Sequence, residues 1–461
     1  MHIRIVIFTL AILFSSIQLA VSQTVGGGFE SNPVNLPCLS SGDYDYFHEM
    51  VALNRAFLNA NHTRVASQAS FGDNTVSFIW PVKEVEDSPY HSSWAISNYV
   101  DHDPVVGAVS DWNCGERTYD TAGDYHHQGL DIFTWPFWWK QMDEDQTEII
   151  AAASGQIIYK NDGSFDRNCD FNSDLWNAVY IEHEDGSVAW YGHLKNGSIT
   201  SKNVGDTVVQ GEYLGIIGSS GNSTGPHLHF EVYDAANNLI DPYAGPCNVL
   251  NTDSLWVDQK PYFNPAINAV LTHTAIPDFS TCPETEETFE SDQFDPNDVV
   301  WFGSYFKDQQ PGTTALNEVF APSGDLYTSW DNTFDTYYPA SWWVQQFSLN
   351  TEEGTWIYRV TYNGESVDHT FNVGQLSIEE EEFSGLKAYP NPTQNQIQIA
   401  SSIPMEYIEI RNITGKLLLL QNSINATNSI INMNTYAAGV YFVSAKALDE
   451  EGLETIRVVK L

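Results

Sequence analysis

At 461 residues the chain is too long for one ordinary core and predicts two to four domains. Its 19 Lys plus Arg face 60 Asp plus Glu, and a formal charge of -41 repels phosphate backbones and anionic headgroups, which argues against nucleic-acid and membrane partners. With 42% hydrophobic residues there is ample material for cores, so the acidity reads as a source of solubility.

Residues 1–22 carry one cation at Arg4, an apolar run from Ile5 to Phe14, and small residues Ala20 and Ser22 before Gln23, the pattern of a secretory signal peptide. No later stretch approaches the ~20 apolar residues of a membrane span. The mature chain is therefore expected to be exported, soluble and monomeric. Segment 23–77 has one amphipathic helix, predicted over Tyr46–Asn59, and reads either as a short propeptide or as a brace against the next domain. Export permits disulfides among Cys38, Cys114, Cys169, Cys247 and Cys282. Pairing Cys114 with Cys169 and Cys247 with Cys282 would bracket two parts of the following region and leave Cys38 unpaired. No two cysteines have the C-x(2–4)-C spacing of a zinc–thiolate site.

Residues 78–282 are dense in strand and turn signals. Within WNAVYIEHEDGSVAWYGHL, 176–194, two β runs are joined at Asp185–Gly186, a tight-hairpin dipeptide. The tryptophans of FTWPFWWKQMDEDQ, 133–146, either line a cleft or pack beneath it. Residues 283–298 are acidic and read as a linker. Segment 299–374 predicts an accessory β-sandwich whose many aromatics fill its core more readily than they form a binding platform. A second acidic linker, 375–385, leads to a compact β-rich segment, 386–461.

The chemistry concentrates in two stretches. In GPHLHFEVYD, 225–234, strand alternation puts His227 and His229 on one face and Leu228 and Phe230 on the other. In YHHQGLDIF, 125–133, His127 and Asp131 share a face with Gly129 between them, whose missing side chain would leave room for an ion, while His126 points away. Two imidazoles and a carboxylate suit Zn²⁺ with an open fourth position, which is the catalytic arrangement. One imidazole of the pair then remains free beside His193 of WYGHL, as a proton acceptor or an oxyanion stabiliser. The GNSTG at 221–225 lies among glycine turns and short strands and does not fit the strand-to-helix elbow of a serine hydrolase, and H-E-x-x-H does not occur, so a serine-hydrolase elbow and a glutamate-base zinc protease are both set aside.

His127-x-x-x-Asp131, His193 in YGHL, His227-x-His229 in GSSGNSTGPHLHFEV and the FIWPV opening at 78–82 together resemble the lysostaphin-type zinc metallopeptidases, which include the beta-lytic endopeptidases and LytM-like domains. The resemblance covers about residues 78–250. It implies a mainly β fold, with an antiparallel metallopeptidase sheet and a narrow groove. It also implies zinc ligands His127, Asp131 and His229, and catalytic His193 and His227 with the base unassigned between them. The implied substrates are peptidoglycan cross-links or glycine-rich peptides. YPNP at 389–392, GVYFV at 439–443 and terminal VVKL resemble the C-terminal sorting domain of the type IX secretion system, expected as a β-sandwich handled by that machinery. The competing reading is a surface-displayed wall or polymer binding protein that grips without cutting.

Overall fold

The computed structural model describes residues 24–29, 37–65, 76–121, 125–170, 172–374, 386–447 and 453–461. The expected signal peptide, 1–22, and the second acidic linker, 375–385, lie outside them. Two compact units divide the chain at Gly374. The fold is mainly β, as expected, and no helix among the described residues is long and apolar enough to cross a membrane.

The site-bearing sheet of the first unit is antiparallel throughout. Its strands run in the order Thr207–Val208, Gly155–Asn161, Ala178–Glu182, Val188–Gly192, His227–Tyr233, Leu130–Thr134 and Trp94–Asn98, with Leu239–Ile240 paired to His227–Tyr233. The hairpin at Asp185–Gly186 forms as the sequence predicts, Gly186 taking a φ of 83° that a larger residue resists. Alternation gives the sheet two buried faces. Ile157, Ile181, Tyr191, Leu228 and Phe230 enter the main core, while Tyr159, Tyr180, Trp190 and Tyr233 enter a second core on the other side.

That second core is closed by helix α1, Ser41–Ala60, which buries Tyr44, Phe47, Val51 and Leu58. The helix starts five residues before the predicted Tyr46 because Ser40 caps it: Ser40 Oγ accepts from the Asp43 amide and the Ser40 amide donates to Asp43, a reciprocal capping box. Arg55 and Arg64 both reach the buried carboxylate of Glu182, which ties the helix and the residues just after it to the Ala178–Glu182 strand.

The sandwich of the same unit draws on more of the chain than residues 299–374. One sheet orders Val25–Gly28, Tyr338–Ser348, Val299–Gln309 and Ala266–His273; the other orders Gln293–Phe294, Glu365–Val373, Gly354–Tyr362, Thr313–Phe320 and Leu326–Phe334. Trp356 is fully buried between them and Trp330 and Trp343 pack at the margin, so these aromatics fill a core. The tryptophans at 135, 138 and 139 are likewise buried beneath the surface.

The disulfides differ from the expected pairing: Cys114 bonds Cys247 and Cys169 bonds Cys282. Bracketing in sequence fails because the Cys114 and Cys247 loops meet at Trp112, whose carbonyl accepts from the Cys247 amide and whose ring stacks on Tyr243 at 5.0 Å. Cys38 is unpaired, as expected, and it is buried. The second unit is a five-stranded antiparallel sheet of Lys387–Tyr389, Gln396–Asn412, Leu417–Asn432, Gly439–Ala447 and Leu453–Lys460, its core built on Ile397, Ile399, Ile408, Ile410 and Val443.

Candidate functional site

The central strand His227–Tyr233 carries the site because its neighbours are in register. His229 lies opposite Asp131 on one side and Gly192 on the other, and His193 follows directly at a left-handed φ of 65° that turns it out of the strand. His127 sits on the loop entering the Leu130–Thr134 strand. His127, His193 and His229 are fully buried, Asp131 nearly so, and His227 keeps about an eighth of its side chain exposed.

The five sequence-predicted side chains come together. His127 Nε2 lies 3.0 Å from Asp131 Oδ2 without an aligned hydrogen bond, and is buried with no partner. Its Nδ1–H donates to the Tyr99 carbonyl at 2.7 Å, which fixes the tautomer of the neutral ring and leaves Nε2 as the nitrogen available to a metal. His229 Nδ1 is 2.9 Å from Asp131 Oδ1, and His227 Nε2 is 3.7 Å from the same oxygen. His193 Nδ1–H donates to the Ser220 carbonyl at 2.6 Å, leaving Nε2 buried and unpartnered, and its ring lies 4.3 Å from that of His227. His126 turns the other way, with Nδ1 3.2 Å from Asp101.

Gly129 has a different role from the one expected. A Cβ there would come within 2.5 Å of His229 Cε1 and Nε2, so the glycine makes room for the His229 ring rather than for an ion. The sequence reading also passes over Glu231, although period two places it on the His229 face. Its buried Oε2 accepts from His229 Nε2 at 3.3 Å and its Oε1 accepts from the Tyr233 hydroxyl at 2.7 Å. Asn98 Nδ2 donates to Asp131 Oδ2 at 3.1 Å. With Glu231 holding the Nε2 proton, the Nδ1 lone pair of His229 faces the Asp131 carboxylate. A proton or a cation must lie between two such acceptors.

The charges agree. Burial raises the Asp131 carboxyl, but His127 and His229 outweigh it and hold the group well below the usual range. Burial lowers His127 and Asp131 raises it, leaving the imidazole at about 9. His193 is lowered, first by burial and then by His227. Cys38, from the segment before α1, enters the same space. Its Sγ shares one cluster with His127, Asp131 and His229 and another with His193 and His227, the ligand atoms in each lying within 4.8 Å of one another. Burial raises the Cys38 thiol, yet His229, His127 and His193 together bring it well below the ordinary value.

His127, Asp131 and His229 fit a zinc ion. They supply two imidazole nitrogens and a carboxylate, an orphaned buried Nε2, and a carboxylate behind the other ring nitrogen of His229, as metal-ligating histidines ordinarily have.

Peptidase family M23 matches residues 126–242, the stretch that contains all five side chains. Residues 126–242 are a family M23 peptidase domain. The M23 domain includes Glu231 as well, whereas Cys38 lies outside it. A secretion system C-terminal sorting domain matches residues 387–459 and marks the chain for secretion and the cell surface. The chain is 38% identical over 85 residues to the DD-carboxypeptidase/endopeptidase Mpg of Neisseria meningitidis, covering 18% of this chain and 17% of that protein. It is 33% identical over 85 residues to the peptidoglycan DD-endopeptidase ShyC of Vibrio cholerae, covering 18% and 19%. The chain thus spans under a fifth of the length of these two curated relatives. Among solved structures, the catalytic domain of the antimicrobial peptidase lysostaphin from Staphylococcus simulans is 25% identical, covering 27% of this chain and 83% of that one with a TM-score of 0.20.

Proposed function

We propose that the chain is an exported zinc metalloendopeptidase that hydrolyses peptide bonds in peptidoglycan cross-links or glycine-rich peptides. His127, Asp131 and His229 hold the metal, and His193 and His227 act on the scissile bond. The observation that carries this reading is the meeting of five distant side chains around buried, unpartnered imidazole nitrogens. The M23 match and the peptidoglycan-directed names of Mpg and ShyC support the substrate class. The type IX secretion machinery is the corresponding export partner.

A zinc ion held there supplies a Lewis acid and a water acidified toward neutral pH. The chain's own groups do the rest. Asn98 and Glu231 orient Asp131 and His229. The Ser220 and Gly225 carbonyls each hold the Nδ1–H of one imidazole, His193 at 2.6 Å and His227 at 2.8 Å. Each ring is therefore fixed as the tautomer whose Nε2 can accept a proton. With the rings 4.3 Å apart, one imidazole takes the proton of the attacking water while the other steadies charge on the carbonyl oxygen.

The test is metal content and cleavage measured side by side. His193→Ala and His227→Ala are expected to lose cleavage of purified peptidoglycan by about a hundredfold or more, with zinc retained at one per chain. His127→Ala, Asp131→Ala and His229→Ala are expected to lose both. Zinc lost together with activity in His227→Ala would exchange the roles of His227 and His229. Mass spectrometry of digests of peptidoglycan, glycine-rich peptides and elastin identifies the bond that is cut.

A further inference from the structure

Cys38 is left over when the other four cysteines pair, a reduced, buried thiol in a chain bound for export. A buried cysteine that merely fills a core sits among aliphatic carbons. This one faces four imidazoles of the M23 domain, His127, His193, His227 and His229, and the Asp131 carboxylate, with the Tyr119 hydroxyl 3.3 Å from its sulfur. Two of those imidazoles, His127 and His193, have a fully buried Nε2 with no hydrogen-bond partner. Tetrahedral bonds of ~2.0–2.3 Å place zinc ligand atoms roughly 3.5 Å apart, and the four candidate atoms of Cys38, His127, Asp131 and His229 already lie within 4.8 Å of one another.

We propose that Cys38, as a thiolate, is the fourth ligand of the zinc centre, so that the N-terminal segment holds the peptidase latent. The proposal rests on the zinc-centre reading above. Three protein ligands leave the corner that water and substrate need, and a thiolate in that corner turns an open catalytic site into a closed structural one. Thiolate is also the softest donor this chain can offer zinc, so it competes well against water.

The fold delivers the sulfur rather than leaving it to chance. Cys38 stands two residues ahead of the Ser40 cap of α1, and α1 is seated by Phe47 against Tyr159, Trp176, Tyr180 and Trp190, with ring centroids 5.4–5.9 Å away. Trp176 in turn touches His193 and His229, its ring centroid 5.0 and 5.6 Å from theirs. Arg55 and Arg64 lock the far end of the segment onto Glu182. Displacing or removing this segment uncovers the metal and the histidine face of the sheet together.

The experiment is cobalt substitution in the full chain with both disulfides formed, where any thiolate-to-cobalt charge-transfer absorption belongs to Cys38. The expected result is that band at one cobalt per chain, lost in Cys38→Ser with the cobalt retained. Peptidoglycan cleavage by the zinc form of Cys38→Ser should rise about tenfold or more, the factor set by the fraction of wild type held latent. One bound cobalt without a thiolate band overturns the fourth ligand and leaves the zinc centre standing. A chain that binds no cobalt, or binds it undiminished in His127→Ala, overturns the zinc centre itself. A band in the wild type with no gain in Cys38→Ser overturns latency. Because the wild-type spectrum needs no variant, a misfolded Cys38→Ser does not obscure the result, and Cys38→Ala repeats the activity arm.

Discussion

Each of the five site side chains has a hydrogen-bond partner outside the five: the Tyr99, Ser220 and Gly225 carbonyls, Asn98 and Glu231. Glu231 fixes His229 by accepting from Nε2, so Glu231→Ala is expected to weaken zinc binding about 10–100-fold, measured by competition with a chromophoric chelator; an unchanged affinity would contradict the assignment. Gly129→Ala drives a Cβ into the His229 ring, 2.5 Å away, and is expected to lose zinc although no ligand is changed. His127 without metal titrates at about 9, and zinc requires the neutral ring. Zinc uptake at pH 7 should therefore release protons and strengthen as pH rises toward 9, which calorimetry in buffers of different ionisation heat reads directly. His127, Asp131, His227 and His229 were legible in sequence because two short spacings, H-x-x-x-D and H-x-H, match the faces of strands, whereas His193 was marked by its place in YGHL at the end of a hairpin strand and by the family resemblance. Glu231 was legible on the same period-two rule but lies in a stretch that also reads as core. Asn98 and Cys38 have no spacing to betray them, since each reaches the site only through the register or the helix that folding supplies.

At the level of elements, α1 packs on the histidine side of the sheet. Its position decides whether the site is covered. Phe47→Ala removes the ring that meets four aromatic neighbours and is expected to cost about 3–5 kcal/mol. Faster amide exchange across Ser41–Ala60 and faster alkylation of Cys38 would show it; exchange unchanged from wild type would contradict the seating described. The helix itself was visible from its apolar spacing, but its true start was set by the Ser40–Asp43 capping box. The Asp185–Gly186 hairpin was visible because turn chemistry there is local. The sandwich strands Val25–Gly28 and Ala266–His273 were not, because each pairs with strands far away in sequence and has no local mark of its partner.

Across the first unit, the peptidase sheet and the sandwich are joined by a buried cation. Lys307 Nζ lies 3.5 Å from the centre of the Trp94 ring and donates to Ser92 Oγ at 2.7 Å. Burial, then the neighbouring Lys260, holds Lys307 down at about 7, with Glu84, Asp308 and Glu365 acting in the opposite direction. Below pH 10 the unfolded chain takes up a proton that the folded chain refuses until about pH 7, so this group makes the fold less stable as pH falls through that window. Lys307→Met is expected to stabilise the unit by a few kcal/mol at pH 7, the gain fading toward pH 10 in thermal melts; equal gains at both pH values would contradict the cause given. The crossed disulfides belong to this scale as well, since only the assembled loops bring Cys114 to Cys247. The most direct measurement is diffraction at the zinc absorption edge from crystals of the full chain. One anomalous peak bonded to His127 Nε2, Asp131 and His229 Nδ1 is the predicted result; no peak there, or zinc held elsewhere, would contradict the account.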